Sequence, residues 1–90
     1  MKAWFCDTVK SMYYTYILLS EKDKRTYVGY TSNLDERLKR HNEGRVKATK
    51  NRRPLKFFYT EEFKTIAEAK ERELWWKSHA GRKKLKELFS

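Results

Sequence analysis

Regular patterning begins at Tyr13. From Tyr13 to Ser20 aromatic and β-branched residues lead into Leu18 and Leu19, which predicts a strand. A polar turn, Glu21–Lys24, follows. Arg25–Thr31 predicts a second strand, close enough to pair with the first as a hairpin, and Gly29 inside it marks a close backbone approach. Asn33 with Glu36 three residues later fits a capping box, Gly44 ends the helix it opens, and Leu34 and Leu38 share one face. A basic stretch, residues 45–53, reads as a loop closed by Pro54, and Leu55–Phe63 as a third, aromatic-rich strand. Thr65 with Glu68 opens a second helix, Ile66 to about His79, with Ile66, Ala69, Leu74 and Trp76 as its inward face. Gly81 is expected to break it. Arg82–Phe89 then forms a short basic helix docking through Leu85, Leu88 and Phe89. The order β-β-α-β-α-α predicts an α/β protein of α+β type: a three-stranded antiparallel sheet flanked by helices.

Length and composition narrow the classes. Ninety residues make one domain, expected over residues 12–90 with residues 1–11 as an N-terminal extension. Aromatic residues at 16% supply large apolar side chains that disordered chains lack. No apolar run approaches the roughly 20 residues that span a bilayer. Residues 1–11 lack the apolar core of a signal peptide, and the single Cys6 leaves no internal disulfide or cysteine-rich zinc module. These features predict a cytoplasmic protein without a membrane partner, expected to be a monomer.

Charge changes the picture more than size does. The net charge of +10 favours a polyanionic partner. More than half of it lies in residues 45–56, where Arg45, Lys47, Lys50, Arg52, Arg53 and Lys56 occur with no acid among them. Such a run is either a solvated loop or a surface for a phosphate backbone, whose binding releases counterions.

The polar residues that this plan brings together carry the chemistry. Tyr16 and Tyr27 face each other across the hairpin, eleven residues apart. Arg37 and His41 are four apart on the first helix, and Glu73 and Lys77 four apart on the second, so each pair shares a face. Singly, each reads as a core tyrosine, a surface arginine or a surface ion pair. The set in order resembles the GIY-YIG nuclease superfamily. Tyr14-Thr15-Tyr16 stands where Gly-Ile-Tyr is expected and keeps only the final tyrosine. Tyr27-Val28-Gly29 matches the second element, Arg37 follows ten residues later, and His41-Asn42 one turn after that. Glu73, within Ala69-Lys70-Glu71-Arg72-Glu73, resembles the segment that carries the metal-ligating acid. Thr49-Lys50 and Arg53-Pro54 resemble the loop of the small stand-alone bacterial-type members. Those members are related to the N-terminal nuclease module of the bacterial excinuclease and commonly begin as Met12-Tyr13-Tyr14-Thr15-Tyr16 does.

The resemblance implies a divalent-metal-dependent endonuclease acting on DNA, with RNA left open, in DNA repair or processing. It implies Glu73 as ligand to Mg²⁺ or Mn²⁺, Arg37 as a planar fork for phosphoryl oxygens, and Tyr27 as general base or water-positioning group supported by Tyr16. A free tyrosine ionises near pH 10, so nearby positive charge is needed, and Arg37, the metal and His41 are expected to supply it. His41 is also a candidate for phosphate contact. Expected nucleic-acid contacts are Tyr30, Arg45, Lys47, Lys50, Arg52, Arg53 and Lys77, with one of Trp75 and Trp76 in the core and the other partly exposed for stacking. Two other classes compete: a non-catalytic nucleic-acid-binding module on the same fold, and a small basic scaffold protein. Neither requires an acid beside phosphate.

Overall fold

The computed structural model describes residues 12–89, the side chain of Phe89 excepted; the expected extension at residues 1–11 and the docking role of Phe89 lie outside the described residues. The elements are β1 (Tyr13–Ser20), β2 (Thr26–Thr31), α1 (Leu34–Asn42), a 3-10 turn (Lys50–Arg52), β3 (Leu55–Phe63), α2 (Ile66–Lys77) and α3 (His79–Phe89). The order is the β-β-α-β-α-α expected from the sequence.

The sheet is antiparallel, in the order β2-β1-β3. Its central strand explains the near-continuous apolar run of β1, because both of its faces are covered. On one face Tyr16, Leu18 and Leu55 form a cluster with Tyr27, Leu34, Leu38 and Phe57 beneath α1. On the other, Ile17, Val28, Trp76 and Leu85 pack with Phe58 and Trp75 beneath α2 and α3. The register of β1 on β3 shifts between Ile17, opposite Tyr59, and Leu18, opposite Phe57. Phe58 is the extra residue of this bulge. It lets Phe58 and Tyr59, consecutive in sequence, both reach the α2 face, where Tyr59 meets Trp76 edge-on at 5.8 Å.

The caps form as their sequences dictate. The Asn33 side chain accepts from the Glu36 amide at 3.0 Å, and the Thr65–Glu68 box closes in both directions. Asn42 clips the end of α1 to β3, donating to the Leu55 carbonyl and accepting from the Leu55 amide. Thr15 ties the sheet to α2 by donating to the Ala69 carbonyl at 2.7 Å.

Three expectations fail for packing reasons. The inward stripe of α2 is Ala69, Glu73 and Trp76, whereas Ile66 and Leu74 are 52% and 57% exposed. A carboxylate occupies the middle of that stripe, so apolar spacing alone misplaces the face. Leu88, expected to dock α3, is 43% exposed, and Leu85 alone of that pair is buried. Gly81 does not break the helix. The break falls at Ser78, whose backbone is extended, and Gly81 lies in the first turn of α3. A β-carbon at Gly81 would meet the Trp75 carbonyl and come within 2.5 Å of Trp76 Cα, so the missing side chain is what lets α3 fold back against the end of α2.

Gly81→Ala is therefore expected to be destabilising although alanine favours helices, by about 1–3 kcal/mol as for other overpacked sites. Chemical denaturation monitored by tryptophan fluorescence measures it. An unchanged or raised midpoint would refute the close-packing role.

Candidate active site

Tyr16 lies directly opposite Gly29 in the β1–β2 register. Its ring lies across that glycine: a β-carbon there would come within 2.6 Å of the tyrosine's Cζ, with the hydroxyl closer still. Gly29 thus clears the path by which the Tyr16 hydroxyl reaches His41 Nε2, 3.1 Å away. The other ring nitrogen, Nδ1, is 2.7 Å from Thr49 Oγ1, and Thr49 Oγ1 lies 3.5 Å from the Val46 carbonyl. Tyr16, His41 and Thr49 are all buried. Burial, opposed by the neighbouring Arg37 charge, pushes the Tyr16 phenol up to about 12. Burial, reinforced by the same arginine, pulls the His41 imidazole down to about 4. With the phenol protonated and the imidazole neutral, the tautomer compatible with Thr49 donating to the Val46 carbonyl has Nδ1–H donating to Thr49 and Nε2 accepting from the Tyr16 O–H.

In front of this buried chain a cleft of about 240 Å³ is lined by Tyr16, Tyr27, Gly29, Tyr30, Arg37 and Glu73. Its walls come from β1, β2, α1 and α2. Tyr27 is half-buried, its ring edge-on to His41 at 5.1 Å. Glu73 is 8% exposed, and its Oε2 forms an ion pair with Lys77 Nζ at 2.5 Å. Lys77 Nζ also lies 6.0 Å from the centre of the Tyr27 ring. Burial of a carboxylate is costly without a counter-charge, and Lys77 supplies one from the next turn.

Of the residues singled out from the sequence, Tyr16, Tyr27, Tyr30, Arg37 and Glu73 meet at the cleft, and Lys77 stands at its edge. His41 belongs to the site but not to its surface. It is fully buried, and burial with the Arg37 charge lowers its imidazole to about 4, so it lies behind the cleft and not on its lining. The basic loop is less free than its sequence suggests. Arg52 pairs with Asp23 at 3.0 Å and donates to the Thr26 carbonyl at 3.2 Å, Arg45 pairs with Glu43, and Lys56 lies 3.9 Å from Glu21. Arg53 Nε donates to the Lys50 carbonyl. Asp23 and Glu21, distant in sequence, and the adjacent Glu43 neutralise part of the run, and Arg52 acts as a strap onto the hairpin. Lys47 and Lys50 are exposed and form no ion pair among the described residues. None of residues 45–53 lines the cleft. Trp76 is buried and Trp75 partly so, as expected, but the Arg72 guanidinium lies 4.2 Å from the Trp75 ring and occupies its stacking face. Thr49 is the residue whose role sequence reasoning misses. It is legible only as part of a loop motif, and nothing local in sequence shows that it reaches His41.

Two measurements test the buried chain. His41 is held neutral, so an unfolded chain takes up a proton at pH 6.5 before the folded one does near 4. Stability is thus full above pH 6.5 and falls as pH drops toward 4, by up to about 3 kcal/mol. An imidazole ¹⁵N titration showing His41 protonated at pH 6 would overturn this. Thr49→Val leaves the Nδ1–H buried without an acceptor and is expected to cost about 1–3 kcal/mol; an unchanged denaturation midpoint would contradict the assigned bond.

Comparison with known proteins places this geometry. The family described as the GIY-YIG catalytic domain matches residues 12–86. A UPF0213 protein of Clostridium perfringens is 41% identical over 80 residues, covering 88% of this chain and 85% of that protein. One from Staphylococcus haemolyticus is 41% identical over 75 residues, covering 82% and 90%. The solution NMR structure of a UPF0213 protein from Bacillus halodurans superimposes with a TM-score of 0.51 at 35% identity, covering 86% of this chain and 84% of that one. With a matching family over nearly all of the described residues, and relatives of its own size, the chain belongs to the GIY-YIG family, among its small single-domain UPF0213 members.

Proposed function

We propose that this protein is a divalent-metal-dependent endonuclease that hydrolyses phosphodiester bonds in DNA. The observation that carries this reading is the convergence of Tyr16, Tyr27, Arg37 and Glu73, from four different elements, on one cleft. Arginine presents a permanently charged planar fork, so Arg37 binds the phosphoryl oxygens and tightens on them as charge builds in the transition state. Tyr27, partly exposed in the cleft, holds the attacking water and, as the phenolate left when its own proton passes to solvent, takes the proton that the water loses. Tyr16, kept protonated against neutral His41, orients the site and is not the base. Water oxygen bonds to phosphorus, the phosphorus–oxygen ester bond breaks, and the departing oxygen takes a proton from solvent.

The donor set suits a hard cation. Glu73 is the sole acid lining the cleft, and a single carboxylate suffices for Mg²⁺ or Mn²⁺ when water and phosphate complete the shell. When bound at Glu73, the cation supplies charge neutralisation at the phosphate and the departing oxygen. No described helix is long and apolar enough to cross a membrane.

One observation favours a second reading, a non-catalytic DNA-binding module: Lys77 already neutralises Glu73 without metal. Cleavage of labelled single-stranded, flap, junction and duplex DNA in Mg²⁺ or EDTA decides between them. Under the nuclease reading, Glu73→Gln lowers cleavage at least about 100-fold, the range seen when a group acting in the transition state is removed. Binding in EDTA is then equal or tighter. Tyr27→Phe folds and binds normally and cleaves poorly. Metal-dependent cleavage by Glu73→Gln at the wild-type rate would eliminate the ligand assignment, and DNA binding without cleavage of any substrate would establish the second reading.

A further inference from the structure

A second cationic surface lies outside both the cleft and the basic loop. We infer that the open trough between the hairpin turn and α3 is a docking track for the phosphate backbone of the substrate strand leading away from the cleft. This rests on the nuclease reading and extends it to a substrate that continues beyond the cut.

The trough is lined by Lys24, Arg25, Thr26, Arg82, Leu85 and Lys86, and encloses about 940 Å³. Four cations and no acid line it. Its floor is Leu85, buried against Val28 and Trp76, and Arg82 and Lys86 stand one helical turn apart above that floor. Lys24, Arg25 and Arg82 are exposed and form no ion pair among the described residues, unlike Arg45, Arg52 and Lys56 of the basic loop. The turn that carries the first two cations is held in place. Lys24 N–H donates to the Ser20 carbonyl, Ser20 N–H to the Arg25 carbonyl and Arg25 N–H to Asp23, with Lys24 at φ 60°. Backbone bonds thus hold Lys24 and Arg25 on the trough that Arg82 also lines, and like charges gathered on one channel favour an anion between them.

Its position gives the direction. Thr26 precedes Tyr27, which lines the cleft, and α3 follows Lys77, the cation at the cleft's edge, across the Ser78 corner. The trough and the cleft thus draw on the same strand, β2, and on consecutive helices, α2 and α3. The basic loop reaches the same hairpin turn through Arg52, which binds Asp23 and the Thr26 carbonyl, but none of residues 45–53 lines the trough. Contacts of this kind reach backbone and carry no base information, so the track fits an extended strand or duplex arm of any sequence.

The test is binding of a labelled DNA duplex of about thirty base pairs in EDTA across a salt series. Wild type is compared with K24Q/R25Q, R82Q/K86Q and the four combined, each checked by its melting curve. Removing one phosphate contact flattens the slope of log K against log salt by about 0.9. Each pair is expected to flatten it by about 1–2, and the four together by about 2–4, with a hydroxyl-radical footprint shortened on one side only. A wild-type slope and footprint in all the folded variants would overturn the track. That failure is distinct from failure of the nuclease reading, which would show as wild-type protein that binds no DNA or cleaves none in Mg²⁺. Should the combined variant not fold, the two pairs decide the outcome in the same way.

Discussion

The site depends on one crossing: the ring of Tyr16 passing over the backbone of Gly29. Tyr16 sits on the central strand, buried on both faces, where a large polar side chain is costly unless its hydroxyl is bonded. The absent side chain at Gly29 lets that hydroxyl reach His41, and Thr49 satisfies the far side of the imidazole. Three buried polar residues from β1, α1 and the following loop thereby satisfy one another. The cleft is the mouth of that network, and its back wall is set by the same bonds that hold α1 and the loop against the sheet.

Glu73 is the second constraint. It occupies a position of α2 that packing would assign to an apolar residue, between Ala69 and Trp76, and Lys77 compensates it. The helix gives up apolar burial at that point to place a carboxylate beside Arg37 and Tyr27. Local consistency is broken at a residue that lines the cleft, and the surrounding elements, including the capping box of α2 and the Thr15 bond to Ala69, hold the helix in position.

The cationic surface divides by what the fold does with each charge. Arg52, Arg45 and Lys56 meet acids supplied by the hairpin turn or the end of α1. Lys47 and Lys50, and the Lys24, Arg25 and Arg82 group, do not. Arg52 serves the architecture, binding Asp23 and the Thr26 carbonyl, while its own carbonyl accepts from Ser20. A count of positive residues in a stretch therefore overstates the charge it offers to a polyanion, and the exposed cations distant in sequence are where that charge is concentrated.

Local chemistry is enough to determine the strands, the caps and the order of elements, because side-chain alternation and capping act over a few residues. The candidate site residues Tyr16, Tyr27, Arg37 and Glu73 are legible as a set through their ordered spacing, which resembles the GIY-YIG pattern, and the fold brings them to one cleft. What lies beyond local chemistry depends on contacts between segments far apart in the chain. Apolar spacing misplaces the inward face of α2 because an acid sits in its stripe. Gly81 reads as a breaker in sequence because only the packing of α3 on α2 shows what its β-carbon would strike. The charge of His41 is decided by burial, the partnering of the basic loop by Asp23 and Glu21, and the role of Thr49 by a bond spanning eight residues. Each is a property of the space around a side chain, which tertiary packing alone creates.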